Sequence, residues 1–261
     1  MEQYSLNSSF SFISNNNDFK YYSQDYGGGV KPIDKLILDK YITYWKKDSR
    51  RNENVNGVFL ELGGYDGVTY SNTKTLEDHL NFTGILIEPS PMSFEKMRLN
   101  RPNCKNYSCA ISNTDEKMVS FIGDDSAVGG LTHILENTNQ SSGRNWIDAW
   151  SNVGQLNPEK INVPSKKLSE ILKNENIKYI DLFSLDVEGA ELEVLETMDW
   201  DIPVYLIVIE ISAWGKAGKE MVEKCRQLLT KNNFTLDLKN GLDEVWINNN
   251  YFRKDILQLN I

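Results

Sequence analysis

Cysteine is scarce in this chain, three in 261 residues. Cys104, Cys109 and Cys225 have neither the spacing of a metal site nor the even count of a disulfide framework, so reducing, cytoplasmic surroundings are expected. Histidine is scarcer still, at two residues. No apolar run approaches the ~20 residues that a membrane helix needs. The opening stretch MEQYSLNSSFSFISNNND lacks the basic start and sustained apolar centre of a secretory signal. Positive charge is also in deficit: 28 Lys and Arg stand against 37 Asp and Glu, for a net charge of −9. A protein built mainly to grip phosphate backbones carries a basic face, so nucleic acid is not an expected partner.

What is present suits a folded globular protein. Hydrophobic residues make up 40% and aromatics 11%, enough for a globular core. Residues 1–50 read as an N-terminal extension, polar at first and then carrying one helix, IDKLILDKYITYW. Residues 51–261 read as one α/β domain. GVFLEL, GILIEP, NYSCAIS, YIDLFSLDVEG and VYLIVIEI are successive strands, and helical stretches separate them. KMVSFIG adds a short strand, and FTLDL with EVWIN closes the chain as an antiparallel pair. Such alternation implies a mostly parallel sheet with helices on both faces. Residues 124–160 are long, polar and glycine-containing, which suits a lid or acceptor platform.

The first strand runs into VFLELGGYDGVTYSNT. In open α/β sheets ligands sit at the carboxyl ends of the strands, where strand order reverses. The spacing is not that of a dinucleotide site: counted from Gly63, the other two glycines would fall on Tyr65 and Val68. No Gly-Lys-Ser/Thr phosphate loop is present either. The pattern is E-x-G-x-x-x-G, from Glu61, Gly63 and Gly67, and it resembles the first motif of S-adenosylmethionine-dependent methyltransferases. An acid before the turn suits a ligand that carries an ammonium and a sulfonium. A glycine turn needed only for tight packing is the alternative. The second strand ends in LIEP, which puts Glu88 about 25 residues after the turn, where an acid typically takes both hydroxyls of an adenosine ribose. Ala110 and Ile111, ending the third strand, suit either an adenine face or the core.

DGVTYSNT, GILIEPSPMSFEKMRLNRPNCK, CAIS and IDLFSLDVEGAELEVLETMDW together resemble the FkbM family of methyltransferases, over about Gly57 to Glu210. The resemblance implies a Rossmann-like class I methyltransferase fold with a seven-stranded sheet, binding S-adenosylmethionine. It implies an O-methyltransferase for a hydroxyl of a sugar, glycan or similar small acceptor. By the same resemblance Gly63, Asp66, Gly67, Ser71 and Asn72 line the methionine end and Glu88 the ribose, with Tyr65 inside the turn counted among them. Residues 124–160 vary in the family and carry no acceptor identity.

Methyl transfer to a hydroxyl needs alignment and a base. Asp186 and Glu210 end two adjacent apolar strands, where unpartnered acids are expensive, and Glu188 follows in the turn. Glu191 falls on the next helix and reads as a solvated charge. His133 lies in the variable stretch, as a base or a surface residue. Trp146, Trp150 and Trp214 suit sugar stacking or ordinary packing. A divalent cation between Asp186 and Glu210 is compatible with the pattern but not favoured, because no third firm ligand is visible. Two other readings remain: an RNA ribose 2'-O-methyltransferase using Lys216 and Glu244 beside Asp186, and a non-catalytic cofactor-binding scaffold. Oligomeric state is left open.

Overall fold

The computed structural model describes residues 20–25, 27–41, 57–123, 129–131, 159–211 and 215–251. In chain order the elements are α1 (Ile33–Lys40), β1 (Val58–Leu62), α2 (Lys74–Leu80), β2 (Thr83–Ile87), α3 (Pro91–Asn100), β3 (Lys105–Tyr107), β4 (Ala110–Ile111), β5 (Met118–Gly123), β6 (Gly129–Leu131), β7 (Glu159–Lys166), α4 (Leu168–Asn174), β8 (Ile180–Leu185), α5 (Glu191–Glu196), β9 (Val204–Glu210), α6 (Gly215–Lys231), β10 (Phe234–Asn240) and β11 (Asp243–Asn248). No helix among the described residues is long and apolar enough to cross a membrane.

Seven strands form the main sheet in the order β10-β11-β9-β8-β1-β2-β3. β1, β2, β3, β8 and β9 are parallel, and β11 runs against its neighbours β9 and β10. The chain lays β1, β2 and β3 to one side, then crosses back to set β8 on the other side of β1. The order therefore reverses between β1 and β8, and the carboxyl ends of those two strands flank the switch point. This is the Rossmann-like methyltransferase sheet the sequence implied.

Side-chain alternation along the strands builds a separate core on each face. Leu60 and Leu62 of β1, with Phe183 and Leu185 of β8, pack with α4, α5 and α6 residues such as Leu172, Leu195 and Leu229. Phe59 and Leu182 point the other way, into a core shared with Ile37 of α1, Leu76 of α2 and Met97 of α3. The helix of the N-terminal segment is thus woven into the sheet's own core. Glu61 lies on the same side of β1 as Phe59, and that parity decides its partners.

Two sequence expectations need correction. NYSCAIS is not one strand: β3 ends the main sheet, while β4 joins a second sheet ordered β4-β7-β5-β6. The second sheet contains β7, EKINVPSK, which its Pro164 hid as a strand. Pro164 is the last residue paired with β5, opposite Met118, before β7 takes up β4. α2 begins after Thr73, and Ser71 Oγ accepts from the N–H groups of Thr73 and Lys74 at 3.3 and 3.0 Å from outside the helix.

Candidate active site

A cleft of about 710 Å³, partly open to solvent, lies over the switch point. Its walls come from three strand ends and from the second sheet. β1 contributes Leu62, then Gly63 and Tyr65 of the turn. β2 contributes Ile87, then Glu88, Pro89 and Ser90. β8 is followed by Asp186, Val187 and Glu188, while Ala110, Ile111, Phe121 and Leu131 come from β4, β5 and β6.

The turn after β1 is built by close packing. Gly63 has φ +79°, and a Cβ there would sit 1.8 Å from the Asp186 carbonyl oxygen. Only glycine fits that backbone, so here the packing reason for the glycine is sufficient by itself. Asp186 N–H donates to the Leu62 carbonyl at 3.2 Å, joining the two strand ends. Tyr65 and Glu188 line the cleft with φ +44° and +54°. Non-glycine residues in the left-handed region are sparse and concentrate at functional sites.

Glu88 is buried, with one backbone N–H on each oxygen: Tyr65 N–H on Oε2 at 2.9 Å and Ser90 N–H on Oε1 at 2.7 Å. A carboxylate offers about four acceptor positions, so each oxygen keeps one for a ligand. Burial pushes the Glu88 carboxyl up to about 7, against the lowering effect of these two bonds. Glu88 is thus a buried acceptor on the cleft wall, held in part by the first turn.

Opposite stands a set of acids. β8 and β9 are adjacent and in register, Leu185 beside Ile209, so Asp186 and Glu210 emerge side by side. Glu210 is also the cross-strand partner of Asp243, an acid at the start of β11 that the sequence reading missed. No sequence signal links residues 210 and 243 before the β9–β11 register is known. Burial pushes the Asp186 carboxyl well above the usual range, and Glu210, Glu188, Glu191 and Asp243 push it further. Burial followed by Glu210 and Glu191 takes Glu188 to about 8. Burial raises Glu210 too, and its neighbour Asp186 acts in the opposite sense. Glu191 is not a solvated charge: it is 2% exposed, and its Oε1 accepts from Val187 and Gly189 N–H at 3.2 and 3.0 Å.

The structure separates other expected site residues from the cleft. Glu61 faces inward and accepts from Ser71 Oγ, Asn72 N–H and Thr73 Oγ1, with Arg101 Nη1 at 3.5 Å. Its cation is a protein side chain. Asp66 accepts from Val68 and Thr69 N–H, shaping the turn, and Asn72 Nδ2 donates to Ser184 Oγ at 3.0 Å. Gly67, Ser71 and Asn72 stand behind the turn rather than in the cleft wall. Glu244 is bound by Arg226 and by Lys239 Nζ at 2.8 Å, away from the cleft. His133, Trp146, Trp150 and Trp214 lie outside the described residues, as does the Lys216 side chain. Among the described residues no three His, Cys, Asp or Glu side chains are placed to hold a metal ion.

A mostly parallel sheet with a cleft over the β1/β8 reversal is a Rossmann-like architecture. The profile of the methyltransferase FkbM domain matches residues 61–236, and the chain belongs to that family of S-adenosylmethionine-dependent methyltransferases. "Methyltransferase 1" of Beauveria bassiana (strain ARSEF 2860) is 25% identical over 140 residues, 49% of this chain and 55% of that protein. Among solved structures, the chain is similar to methyltransferase FkbM from Methylobacillus flagellatus KT, with TM-score 0.42 and 10% identity, covering 91% of this chain and 57% of that one. It is also similar to Aeropyrum pernix fibrillarin with natively bound S-adenosyl-L-methionine, with TM-score 0.35 and 8% identity, covering 74% and 65%. The chain thus spans a little over half the length of the curated relative and of the FkbM structure.

Proposed function

We propose that the chain is an O-methyltransferase that acts on a hydroxyl of a sugar, glycan or similar small acceptor. The observation that carries this reading is that one cleft is lined both by Glu88, after β2, and by Asp186, after β8, with Glu210 beside Asp186 at the end of the neighbouring β9.

S-adenosylmethionine, when bound, supplies an electrophilic methyl group for in-line displacement. Glu88 accepts hydrogen bonds from the ribose hydroxyls and fixes the nucleoside along the cleft. Gly63 lets the Asp186 backbone close against the turn, which sets the Asp186 carboxyl beside Glu188 on the cleft wall. Asp186 and Glu210 share a proton, and the ionised member of the pair is the base that takes the acceptor's hydroxyl proton. A raised carboxyl pKa suits that task, because a base works best when its pKa lies near the operating pH. Where ionised, Asp186 and Glu188 on the cleft wall, with Glu191, Glu210 and Asp243 close enough to raise the Asp186 carboxyl, disfavour a polyanion. That favours an uncharged or cationic hydroxyl acceptor over an RNA phosphate backbone.

The test is release of S-adenosylhomocysteine across a panel of free glycans, nucleotide sugars and capped RNA, with the native chain and Asp186→Asn. Transfer to a glycan hydroxyl, lost in Asp186→Asn while calorimetric S-adenosylmethionine affinity changes less than threefold, is the expected result. Transfer to RNA alone, or near-normal turnover by Asp186→Asn, would remove the reading.

A further inference from the structure

Arg101 has no place in the chemistry above, yet it is the bulkiest fully buried side chain among the described residues. It directly follows α3, and its backbone N–H caps that helix on the Met97 carbonyl at 2.9 Å. The guanidinium then spreads along the back of the cofactor turn. Nη1 donates to the Gly67 carbonyl at 2.9 Å and to Ser71 Oγ at 3.2 Å, Nη2 donates to Thr73 Oγ1 at 3.0 Å, and Nε donates to Glu77. The Glu61 carboxylate lies 3.5 Å from Nη1, and the Phe59 ring lies beneath at 5.2 Å. A Cβ on Gly67 would come within 2.7 Å of Arg101 Cγ, so the turn is shaped around this side chain.

A buried ionic hub is a poor device for stability alone, since desolvation of its charges offsets most of their attraction. Its use lies in geometry: a planar fork with five donors can hold several acceptors in one fixed arrangement, which an ammonium cannot. Every acceptor that Arg101 holds except Glu77 belongs to the stretch from Glu61 to Thr73. We propose that Arg101 is the positioning residue of the cofactor turn. It holds the Glu61–Thr73 segment from behind and so presets the seat for the methionine end of S-adenosylmethionine, leaving the nucleoside end to Glu88. This rests on the reading that the cleft binds S-adenosylmethionine with its methionine end at this turn.

The assignment predicts selectivity that a merely structural arginine would not produce. S-adenosylmethionine and 5'-methylthioadenosine share the nucleoside, but only the first carries the amino-acid end. In Arg101→Lys, calorimetry should show S-adenosylmethionine affinity reduced at least tenfold and 5'-methylthioadenosine affinity changed less than twofold. Thr73→Val removes one acceptor of the fork with little change of volume. It should show the same selectivity at about threefold, and it decides the matter if Arg101→Lys does not fold. Equal losses for both ligands, or no loss for either, would overturn the proposal while leaving the cofactor site intact. A native chain that binds neither ligand would overturn the cofactor reading and this proposal together.

Discussion

Glu88 and Glu61 look alike in sequence, each an acid at the end of an apolar strand, and the fold gives them opposite tasks. Glu88 stands one residue beyond β2 and turns into the cleft. Glu61 is still inside β1, on the Phe59 side, and is consumed by Ser71, Thr73 and Arg101. Two positions along the strand separate an acid on the cleft wall from a structural one, since Glu61 pairs with Leu86 and Glu88 lies beyond the last pair, Leu62 and Ile87. The Glu88 assignment carries its own pH signature. Its carboxyl lies near 7 in the free protein, and a ribose diol donates best to the ionised form. Cofactor affinity should therefore weaken as pH falls below about 7. Glu88→Gln should weaken binding at pH 8 by about 1.5–3 kcal/mol, the scale of a hydrogen bond to a charged group, and flatten the dependence. Calorimetry between pH 5.5 and 8 reads both. An unchanged slope in Glu88→Gln would assign the proton to the opposing acids.

Among the elements, the regular ones were legible. Four strands of the parallel core, β1, β2, β8 and β9, are apolar runs ending at an acid or a glycine, and apolar spacing marks the helices. The kink between β3 and β4 was not legible, because Tyr107 to Ala110 keeps a strand-like composition while the chain changes sheets. Nor was the hub role of Arg101, since nothing in RLNRPNCK shows that its guanidinium meets residues about 30 positions earlier. The N-terminal helix makes a comparable point. Its spacing was visible, but the partners that make it part of the core were not. Ile37 is fully buried among sheet residues, packed with the cluster that holds Phe59 and Leu206. Ile37→Ala should cost about 2–5 kcal/mol, the range for truncating a buried aliphatic side chain. Urea unfolding should show a lower midpoint with an unchanged slope. A loss below about 0.5 kcal/mol would mean that the helix rides on the surface and the domain folds without it.

At the scale of the whole molecule, the acids at the strand ends make stability depend on pH in an uncommon direction. Burial raises the carboxyls of Glu88, Glu191 and Asp243 to about 7 and Glu188 to about 8, and it raises Asp186 and Glu210 as well. In the unfolded chain these groups titrate near 4. Between those limits the folded state binds more protons than the unfolded state, so each pH step upward favours unfolding. Their contribution is fully present below about pH 4 and is lost as pH rises through 7–8. Glu244 acts in reverse. Burial pushes it up, but Arg226 and Lys239 more than offset that, so its contribution is lost only as pH falls below the usual carboxylate range. Above pH 5 that opposing effect is constant, and the raised acids set the slope. The melting temperature should be higher at pH 6 than at pH 8.5. Glu188→Gln should narrow the difference by removing one proton's worth of linkage. S-adenosylmethionine should narrow it as well, because its ribose diol binds best to ionised Glu88 and so stabilises the folded chain more at high pH. Scanning calorimetry from pH 5.5 to 8.5, with and without the cofactor, measures all three. A melting temperature that rises with pH across this range would mean that the acid wall is solvated and ionised, and the shared proton assigned to Asp186 and Glu210 would go with it.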